Sequence, residues 1–268
     1  KASKAQFARE EHGDWKYCDE DDLRRIVGDN DTTLKLSAMA DAGKTDYKTD
    51  ILPAEQSVLD CIRVATYAHQ IPTAVDMIND AHDKGYETCC NIMAISTVAD
   101  PEIDKALEIL AETPVETIVV VDSYGSLYHE QIRALVKKYV AMANATGKEV
   151  GIHTHNNMQL AFANTIEAII QGANRIDATM LGLGRGAGNC PMELLIGFLK
   201  NPKFDLRPIF KLLQDHLMPM RRTKEWGALI PYVVTGLLNQ HPRAAMRVRT
   251  TEEKNQFLEF YDACTSEA

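Results

Sequence analysis

The sequence lacks several features that would place it in other classes of protein. It has no apolar run of about 18 residues, so no transmembrane helix is predicted, and its first residues contain no apolar core of a signal peptide. Its six cysteines include no C-x-x-C pair, and a chain of 268 residues does not need disulfides to stabilise a core. We therefore expect reduced thiols and a cytoplasmic protein.

Clustered positive charge is also scarce. Lys and Arg total 29 against 38 Asp and Glu, which gives a formal net charge of −9. Neutralising nucleic-acid phosphates requires clustered Lys and Arg, so nucleic-acid binding is not expected. What remains is ordinary globular composition, 45% hydrophobic and 25% charged, in a chain long enough for one large domain.

Short β-rich runs alternate with amphipathic stretches through the middle of the chain. Mostly apolar runs are typical of parallel strands covered on both faces, and they lie at residues 33–39, 59–66, 87–95, 117–121, 149–155 and 175–179. Helices are predicted at residues 19–27, 71–84, 102–111, 127–146 and 158–171 from their apolar spacing, and three of them stop at a glycine, namely Gly85, Gly147 and Gly172.

This alternation predicts an α/β fold, a (β/α)8 barrel of the TIM type without its first one or two strands. Six strands also fit an open, doubly wound sheet, so counting strands does not exclude that architecture. We assign residues 1–200 to the barrel domain. Residues 201–268, where five prolines separate short apolar helices, are assigned to a helical C-terminal extension.

The strongest indication of chemistry is the segment GIHTHNN at residues 151–157. Side chains two residues apart on a strand point to the same side, so His153 and His155 face one way at the carboxyl end of a strand. Sites of α/β proteins lie at that end, and two imidazoles there can bind one metal ion. Mg²⁺ or Mn²⁺ also requires oxygen ligands, for which Asp122 and Asp41 are candidates. The alternative is a pair of surface histidines.

A second motif is the loop GLGRGAGNCP at residues 182–191. Alternating glycines let a backbone approach a ligand closely. A dinucleotide-binding loop is the competing interpretation, but Ala187 replaces the third glycine of G-x-G-x-x-G, and the loop closes the β-α series instead of opening it. Asn189 is either a turn residue or a group that turns its amide oxygen toward a metal.

Together with the D-S-Y-G turn at residues 122–125, these motifs resemble the catalytic barrel of metal-dependent aldolases and acyl-CoA lyases. The group includes 4-hydroxy-2-oxovalerate aldolase, hydroxymethylglutaryl-CoA lyase and isopropylmalate synthase. The resemblance covers roughly residues 32–200 and is nearest to the hydroxy-oxovalerate aldolase branch. It implies that His153 and His155 bind a divalent cation, Mn²⁺ or Mg²⁺, and that Asn189 is a further ligand or supports the ligands from behind.

The resemblance also implies a reaction, the cleavage of a 4-hydroxy-2-oxo acid to pyruvate and an aldehyde through a metal-bound enolate, or the reverse addition. Tyr232 and Asp122 would be the catalytic groups. Four residues would bind the substrate: Ser123, Thr179, Gly184 and Arg185. The alternatives are an acyl-CoA lyase or Claisen-type 2-oxo-acid synthase, and a catalytically inactive barrel that serves as an assembly partner.

One departure from the family concerns its first strand, which ends in Arg-Asp-Gly and supplies a metal-binding Asp. This sequence contains no Arg-Asp-Gly. We interpret the chain as beginning inside a longer protein, because a barrel without two strands would expose unpaired sheet edges. The expected partners are a small 2-oxo acid, further copies of the chain and an aldehyde-processing enzyme, with neither nucleic acid nor membrane among them.

Overall fold

The computed structural model describes residues 1, 3, 6–28, 30 and 32–266. Within them six parallel strands form one sheet, in the same order as in the chain. The strands are β1 (Ser37–Asp41), β2 (Cys61–Thr66), β3 (Glu87–Ile92), β4 (Thr117–Asp122), β5 (Glu149–Thr154) and β6 (Arg175–Ile176). Each of the six runs predicted from the sequence is confirmed as a strand.

The α-helices of the described residues follow the predicted pattern. They are α1 (Arg9–His12), α2 (Glu20–Val27), α3 (Tyr47–Asp50), α4 (Ile71–Asp83), α5 (Asp100–Ala111), α6 (His129–Thr146), α7 (Ala161–Ile170), α8 (Met192–Leu199), α9 (Leu206–Leu212), α10 (Met218–Arg221), α11 (Ile230–Leu237), α12 (Arg243–Val248) and α13 (Phe257–Ser266). The last five lie in the stretch expected to be helical. None of the helices in the described part of the chain combines the length and hydrophobicity needed to cross a bilayer.

Local sequence explains the helices, as α4 illustrates. Pro72 lies in its first turn, where the missing N–H has no intrahelical partner to lose. Apolar side chains three or four residues apart form its fully buried face, which comprises Ala74, Met77, Ile78 and Ala81. The helix ends just before Gly85, whose φ of 93° suits a residue without a Cβ.

The chain divides into two compact units. The first comprises Lys1–Met93, Val98–Val120 and Tyr139–Val150, and contains β1 to β3 with helices α4 and α5. The second comprises Ala94–Thr97, Val121–Lys138 and Gly151–Ala268, and contains the carboxyl ends of β4 and β5, strand β6 and all the helices from α7 onward. The second unit holds both sequence motifs. The domain boundary at residue 200 stays a prediction.

Two apolar clusters of the second unit support the glycine loop. Trp226 packs with Ile209, Leu213 and Leu217, and its indole Nε1 donates a hydrogen bond to the carbonyl of Leu181 at 3.0 Å. The other cluster comprises Ala187, Tyr232 and Ala245. The C-terminal helices therefore form a core with residues of the loop.

Candidate metal centre

His153 and His155 stand on the same side of β5 at its carboxyl end. Their ring centroids lie 4.9 Å apart, with an angle of 70° between the ring planes, and both residues are partly exposed. Thr154 between them is buried, and its hydroxyl contacts that of Thr165 in α7 at 2.9 Å. The alternation of a strand therefore brings the two imidazoles together, as the i, i+2 spacing predicts.

Each imidazole is held through its Nδ1 atom. Nδ1 of His155 lies 3.0 Å from the main-chain carbonyl oxygen of Asp122, and Nδ1 of His153 lies 2.9 Å from Oδ2 of Asp177. A carbonyl and an ionised carboxylate only accept hydrogen bonds, so both Nδ1 atoms are the donors. A neutral imidazole with its proton on Nδ1 keeps the lone pair on Nε2, which is the arrangement typical of metal-binding histidines.

The environment keeps His155 neutral. Burial, followed by the neighbouring His153, lowers the pKa of His155 to about 3, although the bond to the Asp122 carbonyl opposes this. Burial also raises the pKa of the Asp122 carboxyl to about 6, against the effect of hydrogen bonds from main-chain N–H groups. A neutral imidazole is the form that can bind a cation, so the low pKa of His155 is compatible with that role.

The Asp122 carboxylate is engaged in a turn. Its two oxygens accept hydrogen bonds from the main-chain N–H groups of Ser126 at 3.1 Å and Leu127 at 3.3 Å. The neighbouring Ser123 accepts a bond from the N–H of Ala94 at its hydroxyl, at 2.8 Å. These contacts organise the loops around β4, and the main-chain carbonyl of Asp122 orients His155. The catalytic role of Asp122 and the substrate-binding role of Ser123 stay predictions.

Asn189 lies beside His155, with which it forms an isolated antiparallel bridge. Its Nδ2 donates to the carbonyl of Leu183 at 3.1 Å, whereas its buried Oδ1 has no hydrogen-bond partner among the described residues. A Cβ added to Gly184 would lie 2.3 Å from Nδ2 of Asn189. Gly184 therefore provides the space that the amide group occupies, and its substrate-binding role stays a prediction.

Thr179 carries a second buried oxygen atom of this kind. Its Oγ1 has no hydrogen-bond partner in the described part of the chain, and its main-chain N–H is bound to the carbonyl of Cys190 at 3.0 Å. Buried polar atoms are nearly always hydrogen-bonded, so the unpartnered oxygens of Thr179 and Asn189 are candidates for contact with a ligand or water. The predicted substrate-binding residue Arg185 is exposed on the same loop.

Tyr232 of α11 packs against the glycine loop. Its ring occupies the space where a Cβ of Gly186 would stand, since ring atoms lie 2.2 Å from that position. The ring is buried, and the guanidinium of Arg249 lies 5.6 Å from its centroid. The structure therefore brings Tyr232 to the loop that carries Asn189. Its role as an acid stays a prediction.

Two features of this region are not evident from the sequence. Asp177 lies in a predicted strand, but its pairing with His153 depends on the strand register, which sequence does not reveal.

The loop after α11 is the other feature. Asn239 accepts a hydrogen bond from the hydroxyl of Ser126 at 2.7 Å, and the His241 ring contacts the edge of Tyr124 at a centroid distance of 5.6 Å. No sequence signal indicated that this loop meets the D-S-Y-G turn.

The ligands predicted for a divalent cation are two imidazole nitrogens and one amide oxygen. No group of three or more His, Cys, Asp and Glu that could hold a metal ion occurs within the described residues. Asp41, the other candidate carboxylate, is paired with Lys44 at 3.0 Å. The held Nδ1 atoms of the histidines and the unpartnered Oδ1 of Asn189 fit a cation that completes its coordination with water and substrate oxygens.

Comparison with known proteins places this site in a family. Residues 37–214 match the family model described as HMGL-like, which is more than half of the chain, so the chain belongs to the HMGL-like family. This confirms the resemblance to the aldolases and lyases, and with it an α/β fold of the TIM-barrel class.

Individual relatives carry related names. The chain is 31% identical over 178 residues to 4-hydroxy-2-oxovalerate aldolase 3 of Rhodococcus jostii, covering 66% of this chain and 52% of that protein. It is 30% identical over 224 residues to the oxaloacetate decarboxylase of Mycobacterium tuberculosis, covering 69% and 65%. The matched segment thus spans about half the length of the aldolase relative and less than two thirds of the decarboxylase.

A solved structure matches nearly all of the chain. It is the N-terminal domain of a protein assigned as an aldolase from Bacteroides vulgatus, with a TM-score of 0.75 and 27% identity. The match covers 95% of this chain and 83% of that one. The likeness therefore extends past the family match into the C-terminal helices.

Proposed function

We propose that the protein is a divalent-metal-dependent lyase that cleaves a 4-hydroxy-2-oxo acid to pyruvate and an aldehyde, or catalyses the reverse addition. The observation that carries this proposal is the histidine pair, whose Nδ1 atoms are both hydrogen-bonded and which is bridged at His155 to Asn189, a residue with an unpartnered Oδ1 among the described residues. The substrate class is supported by relatives named 4-hydroxy-2-oxovalerate aldolase.

The chain's own residues would divide the work as follows. His153 and His155 would hold the cation through Nε2, and Asn189 would hold it through Oδ1. A bound Mg²⁺ or Mn²⁺ supplies Lewis-acid polarisation of the 2-oxo group. The Thr179 hydroxyl would donate to a substrate oxygen, and the charge of Arg185 would attract the substrate carboxylate. Tyr232 would supply the acid near the substrate, which in the addition direction gives its proton to the aldehyde oxygen.

The proposal also covers the substrate, the compartment and the assembly of the protein. The family match and the small-molecule names of the relatives support a small 2-oxo acid as substrate. We further propose a cytoplasmic homo-oligomer, with an aldehyde-processing enzyme as partner and with residues 201–268 as a helical C-terminal extension. No disulfide joins cysteines in the described chain, in keeping with a reducing compartment.

The test is pyruvate release by the full-length protein from 4-hydroxy-2-oxo acids, followed with a coupled lactate dehydrogenase assay. We expect turnover to disappear after chelation of divalent cations and to return when Mn²⁺ or Mg²⁺ is added. A metal-free preparation with undiminished turnover would contradict the metal role, and absence of any pyruvate release would contradict the substrate class.

A second reaction follows from one relative. The match to an oxaloacetate decarboxylase points to another 2-oxo acid whose cleavage also leaves pyruvate. Oxaloacetate is therefore the second substrate for the same assay, with the spontaneous rate subtracted. Greater turnover of oxaloacetate than of every 4-hydroxy-2-oxo acid would assign the site to decarboxylation.

Replacing Thr179 by valine tests the substrate role of its hydroxyl. Since Oγ1 has no hydrogen-bond partner among the described residues, the change removes no protein contact, and the free energy of unfolding should not fall. We expect KM for the 2-oxo acid to rise about tenfold, the equivalent of roughly 1.4 kcal/mol of lost binding. Steady-state kinetics and urea denaturation check the two effects. A loss of stability with unchanged KM would show that the hydroxyl serves the fold instead.

A further inference from the structure

Asp177 is positioned beside His153 by the register of two parallel strands. Ile152 of β5 pairs with Ile176 of β6, and the main-chain N–H of Asp177 donates to the carbonyl of Ile152 at 3.0 Å. The next residues along the two strands, His153 and Asp177, therefore lie side by side. Oδ2 of Asp177 is 2.9 Å from Nδ1 of His153, and about a quarter of each side chain is exposed (25% and 24%).

We propose that Asp177 is the positioning residue of the site, which fixes the tautomer and the ring orientation of His153. This inference rests on the proposed cation-binding role of that histidine. A free imidazole exchanges its proton between two nitrogens and rotates about its side-chain bonds. A carboxylate at Nδ1 retains the proton there, keeps the Nε2 lone pair available and makes that nitrogen a stronger donor to a cation.

The two histidines differ in the group that holds the Nδ1 atom. His155 is oriented by a main-chain carbonyl, which no substitution removes, whereas His153 depends on a side chain. The strands are joined at Asp177 by a main-chain hydrogen bond as well, which a change of its side chain leaves in place. The contact of the carboxylate with Nδ1 of His153 can therefore be tested separately from the pairing of the strands.

The first measurement needs no cation. In the metal-free full-length protein labelled with ¹⁵N at histidine, the ring nitrogens of His153 should show the proton on Nδ1, with the signals assigned by comparison with His153→Gln. In Asp177→Ala the proton should move to Nε2 or exchange between the two nitrogens. Asp177→Asn tests the same point with a side chain of equal size, should the alanine variant fold poorly.

The second measurement is the affinity for Mn²⁺ by calorimetry. Loss of such a partner typically weakens metal binding about 10- to 100-fold, and we expect that range for Asp177→Asn. Asp177→Glu, which restores a carboxylate, should recover part of the affinity. The control is Asp215→Asn, because Asp215 is similarly exposed (31%) but is paired with Lys211 instead of a histidine. That variant should bind Mn²⁺ as the unmodified protein does.

The inference is overturned if the His153 proton stays on Nδ1 in the Asp177 variants, whether or not Mn²⁺ binds. It is also overturned if Mn²⁺ affinity is unchanged in Asp177→Asn. The two proposals fail in distinguishable ways. A protein that binds Mn²⁺ in an Asp177-dependent manner but releases no pyruvate would contradict the proposed reaction and leave the positioning role in place.

Discussion

The variants His153→Ala and His155→Ala are each expected to bind Mn²⁺ at least about 100-fold more weakly than the unmodified protein. Loss of a residue that only orients a metal ligand weakens metal binding by up to about 100-fold, and loss of the ligand itself should weaken it at least as much. The reason is that in the proposed site each imidazole contributes one of three donors, and the others are a second imidazole and a neutral amide oxygen. Calorimetric titration with Mn²⁺ measures the loss. Pyruvate release should fall by a comparable or larger factor.

The matched control for these variants is His129→Ala. His129 begins α6 in the same unit, and its side chain is more than half exposed (57%) next to Glu130. Its removal should change neither Mn²⁺ affinity nor turnover. If His153→Ala binds Mn²⁺ as tightly as His129→Ala does, the site described for the carboxyl end of β5 does not bind the cation.

Gly188→Ala is expected to destabilise the protein by about 3 kcal/mol. This value combines the energetic cost of a left-handed backbone at a residue with a Cβ and the cost of overpacking. Gly188 has a φ of 80°, which residues with a Cβ rarely adopt. An added Cβ would lie 2.1 Å from the main-chain oxygen of Gly182, so the loop would have to shift. That shift would disturb two main-chain bonds, from Asn156 to Gly188 and from Asn189 to Gly182. Urea denaturation measures the loss.

Gly147→Ala separates conformational strain from crowding. Gly147 has a similar φ of 71°, but nothing lies within 4 Å of an added Cβ. Its replacement should cost only the strain of the left-handed backbone, about 1 kcal/mol. The difference between the two variants is therefore the effect of the close approach inside the glycine loop. Equal losses in both variants would show that the loop tolerates a side chain at residue 188.

Local patterns in the sequence determined the strands, the helices and the shared side of the histidine pair. The run Glu149–Thr154 alternates across a strand, which alone brings His153 and His155 to one face. The apolar spacing of α4 and the glycine after it likewise depend only on residues a few positions apart. The glycine loop could be recognised from the sequence as a site of close backbone approach, because alternating glycines let the backbone come near a ligand.

The tertiary structure alone decided which groups hold these side chains. Asp122 contributes its carbonyl to His155 while its carboxylate closes a turn, and Asp177 meets His153 through the strand register. Tyr232 reaches Gly186 across 46 residues of chain (232 − 186) through the packing of α11. Periodicity describes neighbours along one element, whereas register and helix packing depend on the joint burial of distant residues, and no local pattern encodes them.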